Sequence, residues 1–529
     1  MGKAFDYIIV GGGSAGCVLA SRLTEDPDTR VLLVEAGGAD NYFLYHWPAG
    51  FAKMTKGIGS WGFSTVPQKH MQDRVFWFTL AKVIGGGSTI NAQIYTRGMA
   101  YDYDHWAELG CEGWSFQDVL PYFRKSEDND SFENELHGKG GPLGVSKPLA
   151  ALPICETFFK AAAEKGIPRN LDLTSANPAG VGYYQLTQRD AKRSSTARTF
   201  LKQAVGRTNL TVMLNQFVLR IVVEKGRAIG VEVMQNGQRE ILRADREVVL
   251  SSGTVGSPRL LQLSGIGPGD HLRSVGIPVV HNLPGVGSNL QDHLDVCVIA
   301  ECTGDLSYDK YGKPYWAALA AMRYLLTGRG PVASSLFETG GFWYLEKNAP
   351  APDVQFHLGL GSGIEAGIAK LTNAGITLNS AYMRPRSRGT VRLKSSDPNA
   401  PPLIDPNYWS DPHDRNMSLA ALQLARDIIG ADAFKGSIAA ERLPGKNCTS
   451  PKDILDYACR MAKTDHHPAG TCAMGHGDMA VVSPQLMLHG LQGLRVVDCS
   501  IMPALVSSNT NAATIMIAEK AADMIRAGS

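Results

Sequence analysis

Two adjacent histidines near the C-terminus carry the side chains best suited to acid–base chemistry. The segment KTDHHPAGTCAMGHG, residues 463–477, contains His466, His467, Cys472 and His476. A neutral imidazole, whose ordinary pKa is about 6.5, can accept a proton near neutral pH. The four side chains could also bind a metal, but their spacing is irregular and no second ligand cluster follows, so we expect no metal site. The residues alone leave two interpretations: a catalytic base, or a hydrogen-bonded pair in a core.

A glycine-rich segment at the N-terminus has the spacing of a cofactor site. Gly11, Gly13 and Gly16 form the pattern G-x-G-x-x-G between an apolar run and a segment with helical spacing, and Glu35 follows a second apolar run. The first glycine makes the turn, the second admits a pyrophosphate, and the third permits close helix–sheet packing. The helix N-terminus favours phosphate, and the carboxylate can accept both ribose hydroxyls but disfavours a 2′-phosphate. The pattern therefore predicts FAD or NAD bound to a Rossmann-like fold.

Ser14 offers an alternative interpretation of the same segment. Residues 12–16, GGSAG, match the nucleophile elbow G-x-S-x-G, and HGKGG at 137–141 resembles a lipase oxyanion motif. Ser14 with a late histidine would make a serine hydrolase. That interpretation leaves Gly11 unexplained and gives Glu35 no role, so dinucleotide binding is favoured.

Further segments along the chain occur in a characteristic order. They are IIVGGGSAGCVLASRL near the N-terminus, GGGSTINAQIYTRG, GWSFQDVLPYFRKSE, GSPRLLQLSGIG, GVGSNLQDH, HHPAGTCAMG, RVVDCSIMP and SNTNAATIMIAEKAADMI. Together they resemble the landmarks of the glucose-methanol-choline (GMC) flavoprotein oxidoreductases, nearly from end to end. The resemblance implies an α/β fold, α+β overall. A Rossmann-like FAD-binding domain would carry a smaller substrate domain, in which helices cover an antiparallel sheet.

The resemblance also implies that the flavin domain is assembled from separated stretches of chain. We assign residues 1–155, 205–310 and 465–529 to the FAD-binding domain, and residues 156–204 and 311–464 to the substrate-binding domain. The Gly/Ala-rich stretch 359–375 is a candidate for a mobile lid.

The family chemistry assigns roles to two side chains. An alcohol is oxidised when a base takes the hydroxyl proton and a hydride passes to the flavin. HHPAGT resembles the family's His-Pro-x-Gly-Thr signature, which places the base at His467; assigning it one position earlier, at His466, is the alternative. The developing alkoxide needs a donor, and the resemblance assigns this role to Asn511 in SNTNAAT. An amide can donate but cannot act as a base, and a helix-capping role for Asn511 is compatible with donation.

The resemblance further implies which residues contact the flavin. Where some members carry a histidine bonded covalently to the flavin, this chain has Ile90, so we expect non-covalent FAD. Asp498 matches a position beside the ribityl chain. The expected FAD contacts come from Gly11, Gly13, Ser14, Ala15, Gly16, Glu35, Ala36, Val83, Gly86, Gly87, Asn91, Ala92, Val218, Asp498, Thr510 and Asn511.

Two segments bear on the substrate. DKYGKPYW at 309–316 and GITLNSAYMRPRSRGTVRL at 375–393 most resemble bacterial L-sorbose dehydrogenases, with other primary-alcohol dehydrogenases somewhat further away. The expected reaction is FAD-dependent oxidation of a primary alcohol, sugar or polyol to the aldehyde or ketone. We expect a quinone or an artificial dye as electron acceptor. An oxidase of the same family, which passes its electrons to oxygen, is the alternative.

Composition and charge narrow the partners. Among 529 residues, Lys plus Arg number 52 and Asp plus Glu 50, without a long basic run, so the charge pattern of a nucleic-acid-binding protein is missing. The 9 scattered cysteines lack a Cys-x-x-Cys pair, which favours reduced thiols. The chain enters an apparent strand at once and has no apolar stretch of about 20 residues, so we expect neither a signal peptide nor an integral membrane segment. These features favour a small-molecule partner and a cytoplasmic location, with peripheral attachment to the inner membrane as the alternative.

Overall fold

The structure, a computed structural model, describes residues 5–528 except 56, 236 and 364–372. The strands of its two large sheets are β1 (Phe5–Val10), β2 (Val31–Val34), β3 (Leu210–Met213), β4 (Val218–Glu224), β5 (Arg227–Gln235), β6 (Gln238–Leu250), β7 (Leu294–Cys302), β8 (Thr339–Trp343), β9 (Val354–Gly359), β10 (Gly375–Tyr382), β11 (Ile438–Leu443), β12 (Lys463–Thr464) and β13 (Leu494–Val496).

The α-helices pack around these sheets. They are α1 (Ser14–Leu23), α2 (Phe51–Met54), α3 (Gly87–Ile90), α4 (Ala100–Glu108), α5 (Phe116–Ser126), α6 (Ile154–Glu164), α7 (Lys202–Ala204), α8 (Gly253–Leu263), α9 (Gly269–Ser274), α10 (Pro314–Thr327), α11 (Pro412–Ile429), α12 (Pro451–Met461) and α13 (Asn511–Ala527). Short paired strands complete the fold: Phe63–Ser64 with Trp77–Phe78, Ile94–Tyr95 with Gln185–Leu186, Glu127–Asn129 with Leu143–Val145, Gln188–Arg189 with Lys192–Arg193, Ile266–Gly267 with His281–Asn282, and Thr390–Arg392 with Leu403–Asp405; the strand Gly180–Tyr183 is also short.

The first sheet is built around the N-terminal strand. Its order is β3-β2-β1-β6-β5-β4, and β13 pairs with the end of β6. β1 runs parallel to β2 and β6, so that Ile9 lies opposite Leu33 and Val249. β4, β5 and the first half of β6 pair antiparallel. The parallel strands carry Val, Ile and Leu on both faces, as strands buried between helices do. The result is a Rossmann-like sheet extended by an antiparallel meander.

The second sheet is antiparallel, in the order β8-β9-β10-β7-β11, and β12 pairs with β7. Its central strands β7 and β10 are buried along their whole length. Helices α6, α11 and α12 contribute the apolar side chains that pack with this sheet in one core. β7 therefore lies in the second sheet, although the predicted division assigned residues up to 310 to the flavin domain.

The two ends of the chain meet where α13 packs along α1. Arg22 on α1 pairs with the buried Glu519 on α13, with 2.7 Å between Nη2 and Oε1. At the opposite end of the same contact, the Ser14 hydroxyl donates to the Asn511 side-chain oxygen at 2.8 Å. This packing brings the N-termini of α1 and α13 to the same place, so that the positive ends of both helix dipoles are neighbours.

The predicted fold class, mixed α and β with two differently built sheets, is confirmed. Of the predicted lid at 359–375, residues 364–372 lie outside the described residues. Within the described part of the chain, no helix is both long and apolar enough to cross a bilayer.

Candidate active site

The N-terminal glycines form a cradle open on one side. Gly11 has a φ of +104°, and a Cβ there would lie 2.5 Å from the Ser251 carbonyl oxygen. A Cβ on Gly16 would lie 1.9 Å from the Gly11 carbonyl oxygen. At Gly13 the nearest atom would be 3.7 Å away, which is ordinary contact. Gly11 and Gly16 are therefore required by the turn and by helix packing, and Gly13 leaves the helix N-terminus open to a ligand.

Glu35 lies directly after β2 and faces the same cavity. Its Oε2 accepts a hydrogen bond from the Gly12 amide at 2.7 Å, and its Oε1 accepts one from the Gly37 amide at 2.6 Å. Burial raises the pKa of Glu35, and these two bonds oppose the rise. Each carboxylate oxygen can accept a second bond, so the held carboxylate suits a pair of ribose hydroxyls.

One elongated cavity receives nearly all the residues expected to contact FAD. The exception is Gly16, which packs α1 against the sheet. The expected residues that line the cavity are Gly11, Gly13, Ser14, Ala15, Glu35, Ala36, Val83, Gly86, Gly87, Asn91, Ala92, Val218, Asp498, Thr510 and Asn511. A Cβ added to Gly87 would meet nothing within 4 Å, so the second glycine loop also presents open backbone. The cavity is thus a cradle of exposed backbone with an acidic ribose acceptor, which fits FAD.

Asp498 is a buried carboxylate on the wall of this cavity. Its Oδ2 accepts hydrogen bonds from the Gly253 amide at 2.9 Å and from the Ser257 hydroxyl at 2.6 Å. Burial raises the pKa of Asp498, and these hydrogen bonds oppose the rise. Because Gly253 and Ser257 belong to α8, the carboxylate ties that helix to the turn after β13.

His467 lies on the wall of the same cavity. Its backbone amide donates to Asp292 Oδ1 at 2.9 Å, its ring Nδ1 lies 3.0 Å from His293 Nδ1, and its Nε2 lies 2.9 Å from Asn509 Nδ2. Burial, followed by the charges of neighbouring histidines and Lys463, holds the pKa of His467 well below 6.5. The imidazole is therefore neutral at physiological pH and available as a base. The adjacent His466 has a φ of +63° and also lines the cavity.

The neighbours of His467 determine which ring nitrogen carries its proton. His293 Nε2 lies 3.0 Å from the Met383 carbonyl oxygen, which can only accept, so Nε2 of His293 carries a hydrogen. Burial lowers the pKa of His293 to about 3, so this ring is neutral and its Nδ1 is an acceptor. The Nδ1 of His467 must then donate to it. By elimination, Nε2 of His467 carries no hydrogen, and its lone pair can accept a hydrogen bond.

Asn509 presents its amide nitrogen to that lone pair. Its Oδ1 accepts hydrogen bonds from the Thr96 hydroxyl and the Gln355 amide, both at 3.0 Å, which turns Nδ2 towards His467. The sequence predicted Asn511 as the donor, and Asn509 was not among the predicted site residues. Asn511 lines the same cavity at the start of α13, but its side-chain oxygen accepts from Ser14, and no hydrogen bond joins these two described residues, Asn511 and His467.

Two aromatic rings continue the wall near His467. Phe51 and Phe337 line the cavity with ring centroids 5.8 Å apart in an edge-to-face arrangement. His357 lies 6.3 Å from the Phe337 ring, and Asp465 Oδ2 lies 3.9 Å from His357 Nδ1 and 3.5 Å from His467 Nδ1. This end of the cavity therefore combines aromatic faces with one carboxylate.

Asp465 also belongs to a group of three possible metal ligands. Ligand atoms of Asp295, His357 and Asp465 lie within 4.8 Å of one another. The ammonium of Lys463 lies 2.7 Å from Asp295 Oδ2. The lysine therefore supplies the positive charge that the two carboxylates would otherwise attract from a metal ion. This arrangement favours an internal ion pair over a metal ion.

Glu338 is a fully buried carboxyl beside the aromatic wall, next in sequence to Phe337. Neither of its oxygens has a hydrogen-bond partner among the described residues. Burial raises its pKa to about 7. A carboxyl in this position keeps its proton at mildly acidic pH.

Comparisons with known proteins agree along the whole chain. A family model described as GMC oxidoreductase matches residues 5–295, and a second one with the same description matches residues 385–518. The oxygen-dependent choline dehydrogenase of Chromohalobacter salexigens is 42% identical over 99% of this chain and 95% of its own length. The alcohol dehydrogenase [acceptor] of Pseudomonas putida is 40% identical over 98% of this chain and 95% of its own. The crystal structure of pyridoxine 4-oxidase from Mesorbium loti superimposes with a TM-score of 0.90 at 32% identity and covers 99% of both chains.

Proposed function

Because the chain belongs to the GMC oxidoreductase family and uses FAD, we propose that it oxidises a primary alcohol to the aldehyde with His467 as the base. The observation that carries this proposal is the neutral imidazole on the cavity wall, whose unprotonated Nε2 accepts a hydrogen bond from the Asn509 amide. The serine hydrolase alternative is wrong, because the matching family is an oxidoreductase family and the Ser14 hydroxyl donates to Asn511.

His467 and Asn509 divide the work on the substrate hydroxyl. Nε2 of His467 accepts the hydroxyl proton, and the resulting imidazolium keeps its Nδ1 hydrogen bond to His293. The hydrogen bond from Asn509 Nδ2 to Nε2 gives way when the substrate hydroxyl takes its place, and Nδ2 then donates to the substrate oxygen as negative charge develops. Asn509, rather than Asn511, is therefore proposed as the alkoxide donor. FAD, when bound, supplies the acceptor for the two electrons that leave the carbinol carbon.

Choline is the primary alcohol that the wall supports best. Aromatic rings attract a quaternary ammonium group, Phe51 and Phe337 supply two of them on the cavity wall, and Asp465 supplies a nearby negative charge. A relative 42% identical is named a choline dehydrogenase. A sugar such as L-sorbose would require several polar partners where these rings lie. The finer resemblance to L-sorbose dehydrogenases finds no support in the relatives described above.

The acceptor is proposed to be a quinone or an artificial dye, which makes the protein a dehydrogenase. The Pseudomonas putida relative carries the word "acceptor" in its name, in line with this choice. Oxygen is the second candidate, because the Chromohalobacter salexigens relative is named oxygen-dependent.

An anaerobic substrate screen tests the reaction. The FAD-loaded protein is mixed with choline, 3,3-dimethyl-1-butanol, benzyl alcohol and L-sorbose, and bleaching of the flavin is followed. We expect choline to be the best substrate. Its uncharged isostere should need a higher concentration for half-maximal rate, because it lacks the attraction to the aromatic faces. Recolouring is then followed after addition of a quinone or of air. Failure of every alcohol to bleach the flavin would refute the proposal.

Paired substitutions test the residue roles. We expect His467→Ala to slow flavin reduction about 10²- to 10⁴-fold, the usual contribution of a general base. Asn509→Ala should lower the rate of reduction while the protein retains FAD. Asn511→Ala should weaken FAD retention more than it changes the reduction rate of the loaded protein. The reverse pattern for the two asparagines would restore Asn511 as the donor.

A further inference from the structure

Helix α10 (Pro314–Thr327) has an apolar face that is exposed to solvent. Tyr315, Met322, Leu325 and Leu326 expose 68%, 53%, 70% and 78% of their surface. With Ala318 they follow the 3.6-residue period and share one side of the helix. We call these five residues the α10 face. Singly exposed apolar side chains are ordinary, but a whole helix face of them marks an interaction site.

The opposite side of the helix is firmly packed. Ala320 and Tyr324 are buried, the Tyr324 hydroxyl donates to the Ala191 carbonyl at 2.8 Å, and the Tyr324 ring lies 5.3 Å from the Trp47 ring. Gly328, with a φ of +64°, ends the helix, and its backbone amide donates a hydrogen bond to the Tyr324 carbonyl oxygen at 2.8 Å. Because the opposite side of α10 is packed against the protein, the α10 face points to solvent and can contact a partner without a conformational change.

Basic side chains surround this face. Exposed Lys313 precedes the helix, exposed Arg323 lies on its flank, and exposed Arg329 follows it, whereas the stretch 310–330 contains no Asp or Glu. Lys310 is already paired with Asp305 at 2.7 Å. Apolar side chains flanked by cations, with Tyr315 and Trp316 at one end, are the composition of helices that lie in a lipid interface.

We propose that the α10 face docks on an anionic lipid surface, with the helix parallel to the membrane plane. Charge complementarity favours this occupant over a second copy of the chain. A twofold contact through this face would bring Arg323 and the other cations of one copy close to the same residues of the other, whereas acidic headgroups neutralise them. The helix also continues through the 3₁₀ turn Pro331–Ala333 towards Phe337 on the cavity wall, so docking would place the substrate side near the membrane.

Vesicle co-sedimentation of the FAD-loaded protein tests this proposal. We expect binding to vesicles of phosphatidylcholine and phosphatidylglycerol, weaker binding to phosphatidylcholine alone, and weakening at high salt. Met322→Glu with Leu326→Glu should reduce the partition coefficient at least about a hundredfold, because each of the two buried apolar side chains contributes at least about tenfold. Arg323→Gln should reduce it about fivefold.

A matched variant separates loss of the face from added charge. Val205→Glu with Met234→Glu adds the same two charges at exposed apolar positions, one after α7 and one on β5. This variant should bind vesicles nearly as the parent does, and both double variants should reduce their flavin with alcohol at the parental rate. The proposal is overturned if the parent protein ignores anionic vesicles, or if both double variants lose binding equally. It is also overturned if light scattering shows a dimer that Met322→Glu with Leu326→Glu abolishes while vesicle binding is unchanged.

Discussion

Replacing His293 tests whether it sets the protonation of the proposed base. In the native site the Met383 carbonyl requires a hydrogen on His293 Nε2, which leaves His293 Nδ1 to accept from His467. His293→Leu keeps a similar volume but removes the acceptor. The His467 Nδ1–H is then left with only the more distant Asp465 Oδ2, at 3.5 Å, or the ring changes to the tautomer with its hydrogen on Nε2, where the substrate proton must go.

The structure sets the size of the effect. Leaving a buried donor unpaired costs about 1–3 kcal/mol. If the active tautomer loses this amount relative to the inactive one, flavin reduction slows about 5- to 150-fold. His293→Gln offers a different outcome, because its amide oxygen can accept from His467 while its nitrogen donates to Met383. The glutamine variant should therefore recover most of the rate that the leucine variant loses.

Anaerobic stopped-flow reduction by saturating alcohol is the assay, with flavin content and melting temperature measured on the same samples. Nitrogen-15 NMR of labelled histidine should show His467 with its hydrogen on Nδ1 in the parent and a shift towards Nε2 in His293→Leu. If His293 had only a structural role, both variants would reduce their flavin equally slowly, and the tautomer of His467 would not change. If the leucine variant reduces its flavin as fast as the parent, or if the parent already carries the hydrogen on Nε2, the reasoning fails.

Two further predictions follow from burial, and a third follows from the residue at position 90. Because the pKa of His467 lies well below 6.5, the rate of flavin reduction at saturating alcohol should stay constant as pH falls from about 8 to about 6; a decline centred near pH 6.5 would contradict this. Glu338→Gln should stabilise the protein at pH 8 by up to about 3 kcal/mol and have little effect at pH 4.5. The sign follows because the unfolded carboxyl ionises near 4.5 while the folded one holds its proton to about pH 7, so stability is lost as pH rises through that window; urea unfolding at both pH values measures it, and equal shifts would disprove it. With Ile90 where a covalent linkage would form, acid precipitation should leave the flavin in the supernatant, and yellow pellets would refute non-covalent binding.

The residues predicted for the cofactor cradle line one cavity in the structure, because they are close together in the chain and each has a separate local reason for its position. Gly11 and Gly16 are required by a turn and a helix contact within a few residues of each other, and Glu35 follows the next strand. Such features depend on backbone geometry that the sequence determines locally. The same is true of the apolar strands β1 and β2, whose periodicity indicates burial on both faces.

The donor asparagine could not be chosen in this way. The motif SNTNAAT contains two asparagines two residues apart, and both line the cavity. Which of them meets the imidazole depends on where α13 begins: Asn511 is the first helical residue, while Asn509 lies outside the helix, just before the N-cap Thr510. The sequence favours a helix start within this motif but leaves its position uncertain by one or two residues. The two candidate asparagines are also two residues apart, so the sequence cannot decide between them. The domain boundary near 310 had a similar weakness, because β7 reads as an apolar run that either sheet could hold.

The dipeptide Asp292–His293 shows why the site cannot be understood from the His467 motif alone. Asp292 accepts a hydrogen bond from the backbone amide of His467. It also accepts hydrogen bonds from the hydroxyls of Thr464 and Tyr408, both at 2.5 Å. His293, the next residue, holds the ring and fixes its hydrogen. Position and protonation of the base are therefore set by neighbours 174 and 175 residues away in sequence. A motif that names only the base omits the groups that make it basic at the required nitrogen, so variants at Asp292 should disturb the placement of the ring and variants at His293 its protonation.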